Sequence, residues 1–216
     1  MRSMLPMLPA LLVACLACGT SACALTSKAD LVEIRYFSPE RVRTTGQSPA
    51  RPGAPHAAFD LKLGRVSSGP SLRERIAYRD ATYELGYYDD LRWTERPETY
   101  VRRGLGRALF EQRAFHRVLG GLAPTLDVEV IAFDDLRLPA GRAVRVQLKL
   151  LLHEANGVLL EETLTVERPV AGDKPKIEEV IAAMAIALDA ACEQLSQKVE
   201  GALVSARSTA KGVGEK

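Results

Sequence analysis

The chain has 216 residues, enough for one domain with a real core once an N-terminal export segment is set aside. Its 47% hydrophobic and 26% charged residues are ordinary for a globular protein and exclude wholesale disorder. A net charge of +2 does not supply the strongly basic face that nucleic acid demands, so no nucleic-acid partner is expected. The Arg-rich stretch from Arg65 to Arg117 is largely balanced by Asp80, Glu84, Asp89, Asp90, Glu95, Glu98 and Glu111, and reads as a solvated mixed-charge surface.

The first residues have a secretory layout. Arg2 precedes an apolar run from Met4 to Ala17, and the small residues Gly19, Thr20, Ser21 and Ala22 follow. The run falls short of the ~20 apolar residues that a membrane-spanning helix needs, so residues 1–22 are expected to be a signal peptide rather than an anchor. Three of the four cysteines, Cys15, Cys18 and Cys23, cluster here, with Cys192 far away; a disulfide framework would spread its cysteines through the fold. The cluster resembles the bacterial lipobox, a Leu-x-small-Cys pattern whose cysteine receives diacylglycerol before cleavage. Leu12-Val13-Ala14-Cys15 is the best local match, whereas Thr20-Ser21-Ala22-Cys23 has Thr in place of Leu but leaves a normal-length signal and a clean mature start. Cys23 is the expected lipidation site, with Cys15 the alternative; plain cleavage near Ala22 without lipid is the blander reading. One acyl chain holds only marginally, at ~0.8 kcal/mol per buried methylene, whereas the three chains of a bacterial lipoprotein, palmitate among the usual acyl groups, hold permanently. Ala24 follows Cys23 in place of the Asp that retains enteric lipoproteins in the inner membrane, which points to an outer-membrane anchor facing the periplasm. Residues 23–30 are then a lipidated tether.

Along the mature chain, Val32, Ile34 and Tyr36 alternate with Glu33, Arg35 and Phe37, a short strand closed by Ser38-Pro39. Thr44 to His56, rich in Pro, Gly and small polar residues, reads as a loop. Phe59, Leu61 and Leu63 open a strand running to about Val66, residues 67–71 turn the chain, and Arg75–Arg79 and Thr82–Tyr88 are further short strands. A helix is expected from Thr94, a good N-cap, with Pro97 in the first turn and Val101, Leu105, Ala108, Gln112 and Phe115 on one face. Gly104 and Gly106 in that helix are either tolerated surface sites or points of close packing on a sheet; Gly120-Gly121 ends the element. Leu126, Val128, Val130 and Ala132 alternate with Asp127, Glu129, Ile131 and Phe133, and Val144, Val146, Leu148, Leu150 and Leu152 repeat the pattern. Asn156-Gly157 then predicts a hairpin, with a return strand from Val158 to about Arg168. The last helix, Ile177 to about Val204, carries Ile181, Met184, Leu188, Ala191, Leu195 and Val199 on one face, read as packing on this meander rather than as a coiled-coil seam. Residues 205–216 read as a flexible tail. The fold class is α+β: a single domain over residues 31–204, its mostly antiparallel sheet covered on one side by two helices.

The search for chemistry is mostly negative. His56, His116 and His153 sit at no metal-ligand spacing, no phosphate loop or nucleophile elbow is present, and no cofactor or metal is expected. Cys192, beside the apolar stripe of the last helix, reads as a small buried hydrophobe rather than a nucleophile. Asp89-Asp90, Asp134-Asp135 and Glu161-Glu162 are adjacent pairs, and neighbours on a strand point to opposite faces, so they make poor acid–base partners. No enzyme is expected. The segment Tyr83 to Pro97 concentrates Tyr83, Tyr87, Tyr88 and the only tryptophan, Trp93, between a strand and a helix. These aromatics are either core or a partner-contact surface; Tyr87, Tyr88 and Trp93 are the candidate contact residues.

Arg35-Tyr36-Phe37 soon after a lipidation cysteine, Leu61-Lys62-Leu63-Gly64-Arg65-Val66, Arg75-Ile76-Ala77-Tyr78-Arg79, Tyr87-Tyr88 and Arg92-Trp93 together resemble the ABC-type transport auxiliary lipoprotein (PqiC-like) family, over roughly Cys23 to Leu203. The order and spacing carry the resemblance. It implies an α+β fold and a non-enzymatic role at the outer membrane. It also implies partners: a mammalian-cell-entry (MCE) domain substrate-binding protein, the subunits of an ABC transporter that moves lipid across the envelope, and phospholipid itself. A scaffold lipoprotein of another envelope complex and a periplasmic lipid carrier are the alternative functions.

Overall fold

The computed structural model describes residues 32–40, 59–80, 83–113, 115–139, 141–172 and 174–213. The signal segment, Cys15, Cys18, Cys23 and the loop expected over residues 44–56 lie outside the described residues.

The described chain builds eight strands and two helices: β1 (Arg35–Phe37), β2 (Asp60–Ser68), β3 (Arg75–Arg79), β4 (Gly86–Trp93), α1 (Pro97–Arg107) running into a π-helical turn (Ala108–Gln112), β5 (His116–Arg117), β6 (Thr125–Leu138), β7 (Gly141–Glu154), β8 (Gly157–Pro169) and α2 (Ile177–Val213). This is the expected α+β architecture, a mostly antiparallel open sheet with two helices. The long β6–β7–β8 meander is antiparallel throughout. Its strict alternation puts Val144, Val146, Leu148, Leu150 and Leu152 at full burial, and the inward residues of β6 meet them across the ladder.

The other edge of β6 serves two strands placed end to end. β2 pairs in parallel with residues from Thr125 to Val130, and β3 pairs in parallel with Asp134, Asp135 and Leu136. β4 lies antiparallel to β3, β1 parallel to β4, and the short β5 parallel to β2. These short parallel pairs join segments far apart in sequence.

Both helices contribute to one apolar core. From α1 come Tyr100, Val101 and Leu105; from α2, Met184, Leu188, Ala191, Leu195 and Val199; from the sheet, the inward residues of β2, β6 and β7. The stripe on α2 therefore packs on β7 and β8, as its spacing predicts. The helix continues past Val204 to Val213.

Four local readings need correction. Phe133, taken as an outward residue of β6, is fully buried, because a bulge at Ile131 shifts the register between Val130 and Ala132 and exchanges the faces beyond it. Thr94 does not cap α1. The N-cap position is Arg96, without a side-chain cap, with Pro97 first in the helix; Thr94 Oγ1 instead shares a 2.8 Å hydrogen bond with the Tyr100 hydroxyl. The expected face of α1 holds through Ala108, after which the π-turn changes phase: Leu109 is buried and Gln112 is exposed. Asn156-Gly157 does lie at a hairpin, but the central residues are Ala155 and Asn156, with Glu154 opposite Gly157. Among the described residues no non-glycine residue has positive φ, so the type I′ geometry is not adopted, and the register shifts between the Leu152–Leu160 and His153–Val158 pairs beside the turn.

Gly104 resolves as a point of close packing, though against α2 rather than the sheet. A Cβ there would stand 2.6 Å from Cys192 Sγ. Cys192 itself is buried, and loss of hydration pushes its thiol up to about 12, so it is an inert packing group.

Candidate functional site

The aromatic segment does not form one surface. Trp93, the last residue of β4, is 1% exposed and stands edge-on to Tyr100 and Phe133 at 6.2 and 5.3 Å between ring centroids. Its indole belongs to the core and is no surface anchor. Tyr83 is 98% exposed, and Tyr87 and Tyr88 are intermediate. The pairing of β3 with β4 explains the split. It jumps from Ala77–Tyr87 to Arg75–Arg92, so several residues of β4 bulge out of register and neighbouring aromatics face different surroundings.

Tyr88 reaches a polar cluster on the C-terminal half of β6. Its hydroxyl donates to Asp135 Oδ2 at 2.6 Å and accepts from Arg142 Nη2 at 2.6 Å. Arg142 also grips both oxygens of Asp135, at 2.9 Å through Nε and 2.7 Å through Nη2. Arg137 stacks over the Tyr78 and Tyr88 rings, 3.7 and 4.5 Å from their centroids. Burial, then the hydrogen bond to Asp135, raises the Tyr88 phenol above its ordinary range, which leaves it a donor. The bond to Asp135 likewise raises Arg142.

Asp134 is equally buried but belongs to a separate set. It accepts from Arg79 Nε at 2.8 Å, from Arg145 Nη2 at 2.7 Å and from the Phe133 backbone N–H. The two adjacent carboxylates therefore face apart, as strand geometry requires, and each is neutralised by arginine. Among the described residues, no group of three or more His, Cys, Asp or Glu is disposed to hold a metal ion, and no helix is long and apolar enough to cross a membrane.

Next to this cluster, the rim around Tyr87 stays partly open to solvent. Tyr87 donates its hydroxyl to the Ser71 carbonyl at 2.8 Å, which fixes the ring, and Arg75 lies 5.2 Å over that ring while pairing with the exposed Asp89 at 3.0 Å. A ring held in place with mixed charges around it can contribute contact area at small entropic cost. Sequence reasoning found Tyr87 and Tyr88 by composition. It missed Arg137 and Arg142, which only the β6–β7 hairpin brings to Tyr88.

The model of the ABC-type transport auxiliary lipoprotein component family matches residues 43–199. Among solved structures, a protein from Xanthomonas campestris aligns at 20% identity with a TM-score of 0.67, covering 81% of this chain and 99% of its own. Another, of an uncharacterised protein, aligns at 16% identity with a TM-score of 0.54, covering 65% of this chain and 92% of its own. Both share the fold. No functionally curated protein matches the sequence significantly.

Proposed function

Because the chain belongs to the ABC-type transport auxiliary lipoprotein component family, we propose that it is the non-enzymatic auxiliary lipoprotein of an MCE-type intermembrane lipid transport system. In this reading Cys23 carries the lipid anchor, the protein hangs from the outer membrane into the periplasm, and the domain docks the transport assembly or receives lipid from it. The family match over most of the folded domain is the observation that carries the reading. The carboxylates Asp134 and Asp135 are taken up by arginines of the fold in this reading. The rim formed by Tyr87, Arg75 and Asp89, with the edge of Tyr88, is the contact surface in this proposal.

The test is affinity capture of the full-length protein from envelope extracts after mild crosslinking. Recovery of an MCE-domain protein with ABC permease and ATPase subunits is the expected result. A Tyr87→Ala, Arg75→Ala variant should lose them while keeping its own abundance. Capture of a different envelope complex would favour the scaffold reading, and capture of MCE partners unchanged by the double variant would move the contact surface elsewhere.

A further inference from the structure

The loop after β5 has a composition that the docking role does not use. Leu119 is 96% exposed and Leu122 is 88% exposed, on either side of Gly120-Gly121. Gly121 has φ +80°, the left-handed backbone of a tight turn, and its carbonyl accepts from Lys62 Nζ at 3.0 Å. Two large aliphatic side chains are thus presented to water on a loop whose backbone is tied down. Single exposed leucines are ordinary, but a pair nearly bare within four residues is a feature of surfaces that meet something apolar.

The loop borders a cleft of about 780 Å³ between α1 and β5. Its lining carries four arginines against one carboxylate, Glu111. Two of those arginines, Arg103 and Arg107, are committed to Glu40. The other two are not: Arg102 donates to the Gly64 carbonyl at 2.9 Å and Arg117 lies over the Phe110 ring at 4.5 Å, and neither pairs with a carboxylate among the described residues. Beside the leucines there are therefore cations with coordination to spare. Guanidinium groups suit phosphate oxygens, and leucines suit the acyl region immediately beneath a headgroup layer.

We propose that the loop bearing Leu119 and Leu122 inserts into the interface of an anionic phospholipid bilayer, with Arg102, Arg117 and Lys62 bound to headgroup phosphates. Such a contact would be a second, non-covalent hold on the membrane that fixes which way the domain faces. A soluble protein partner would not require that aliphatic tips and cations with no carboxylate partner among the described residues share one rim, whereas a bilayer interface presents apolar and anionic layers in that order.

The test places a tryptophan on the loop, as Leu119→Trp in the full chain, reconstituted by detergent removal into vesicles of brominated phosphatidylcholine with phosphatidylglycerol. Trp93 is buried and supplies a constant background. The expected result is loss of the added emission in these vesicles, weaker loss in brominated phosphatidylcholine alone, and recovery when Arg102→Glu and Arg117→Glu are added. A Tyr83→Trp protein reports the rest of the exposed surface and should stay unquenched. No quenching at Leu119→Trp, quenching indifferent to phosphatidylglycerol or to the charge reversals, or equal quenching at Tyr83→Trp would each overturn the proposal. The readout comes from the loop rather than from recovered transport subunits, so its failure is distinct from failure of the transport reading.

Discussion

Replacing Gly104 by alanine tests how tightly α1 and α2 are packed. On helix propensity alone the change should stabilise α1 by about 1 kcal/mol. The new methyl would, however, stand 2.6 Å from Cys192 Sγ, closer than real Cβ contacts come, and both groups sit on helices within the core. Overpacking of this kind costs about 1–3 kcal/mol, so Gly104→Ala should lose about 1 kcal/mol net rather than gain. Cys192→Ala removes the sulfur and leaves the Cβ of residue 192, which lies 3.7 Å from the new methyl, an ordinary contact. The double variant should therefore recover the propensity gain, and the cycle should show a favourable coupling of about 1–2 kcal/mol. Urea unfolding of the four proteins, followed by the fluorescence of Trp93, measures this directly. A Gly104→Ala protein at least as stable as the parent, or single effects that simply add, would show that the helices slide apart at no cost and would refute the reasoning.

Asp135→Ala should cost about 3–5 kcal/mol in urea unfolding, because Arg142 and the Tyr88 hydroxyl lose a buried acceptor. Asp135→Leu combined with Arg142→Met should restore most of it, and no restoration would mean that the ion pair is not what the site lacks. Trp93→Ala should lose about 3–5 kcal/mol as a core truncation, whereas Tyr87→Ala should stay within about 1 kcal/mol of the parent; comparable losses in thermal unfolding would contradict the assignment of one to core and the other to rim. The fold holds the Cys192 thiol and the Tyr88 phenol neutral, with both folded-state values raised. Their contribution is therefore whole below the unfolded values, 9.0 and 10.0, and is lost as pH rises through the folded ones, about 12 for Cys192. Urea stability should fall on going above pH ~9, and a Cys192→Ala, Tyr88→Phe protein should fall less; parallel profiles would remove both groups from the account.

Sequence patterning revealed β7 almost residue by residue, because an uninterrupted antiparallel strand needs only its own alternation to say which residues point inward. It misplaced Phe133, because a bulge at Ile131 leaves no mark in composition yet reverses every later side chain. The face of α1 was legible as far as Ala108 and no further, since a π-turn alters the period on which the reading depends. Gly104 could be seen to be unusual, but the atom that excludes a side chain belongs to Cys192 on a distant helix. The same holds for the candidate site. Tyr87 and Tyr88 are conspicuous in the sequence, and Asp134-Asp135 could be read as facing apart; the arginines that neutralise them come from β3 and the β6–β7 hairpin, and no local pattern announces them. Trp93 shows the limit of composition, because an aromatic suited to an interface is equally suited to a core.

The sharing of one edge of β6 by β2 and β3 has a consequence for how the chain reaches this state. Residues 125–213 form the meander and α2 from neighbours in sequence, a low-contact-order half that can fold early. β3 has β4 and β2 has the two-residue β5 within the N-terminal half, but the other edge of each stays open until β6 exists, although both strands leave the ribosome first. The N-terminal half must therefore wait with open strand edges until the C-terminal half arrives to template it, and chains arrested before Thr125 should be ready clients of chaperones and proteases.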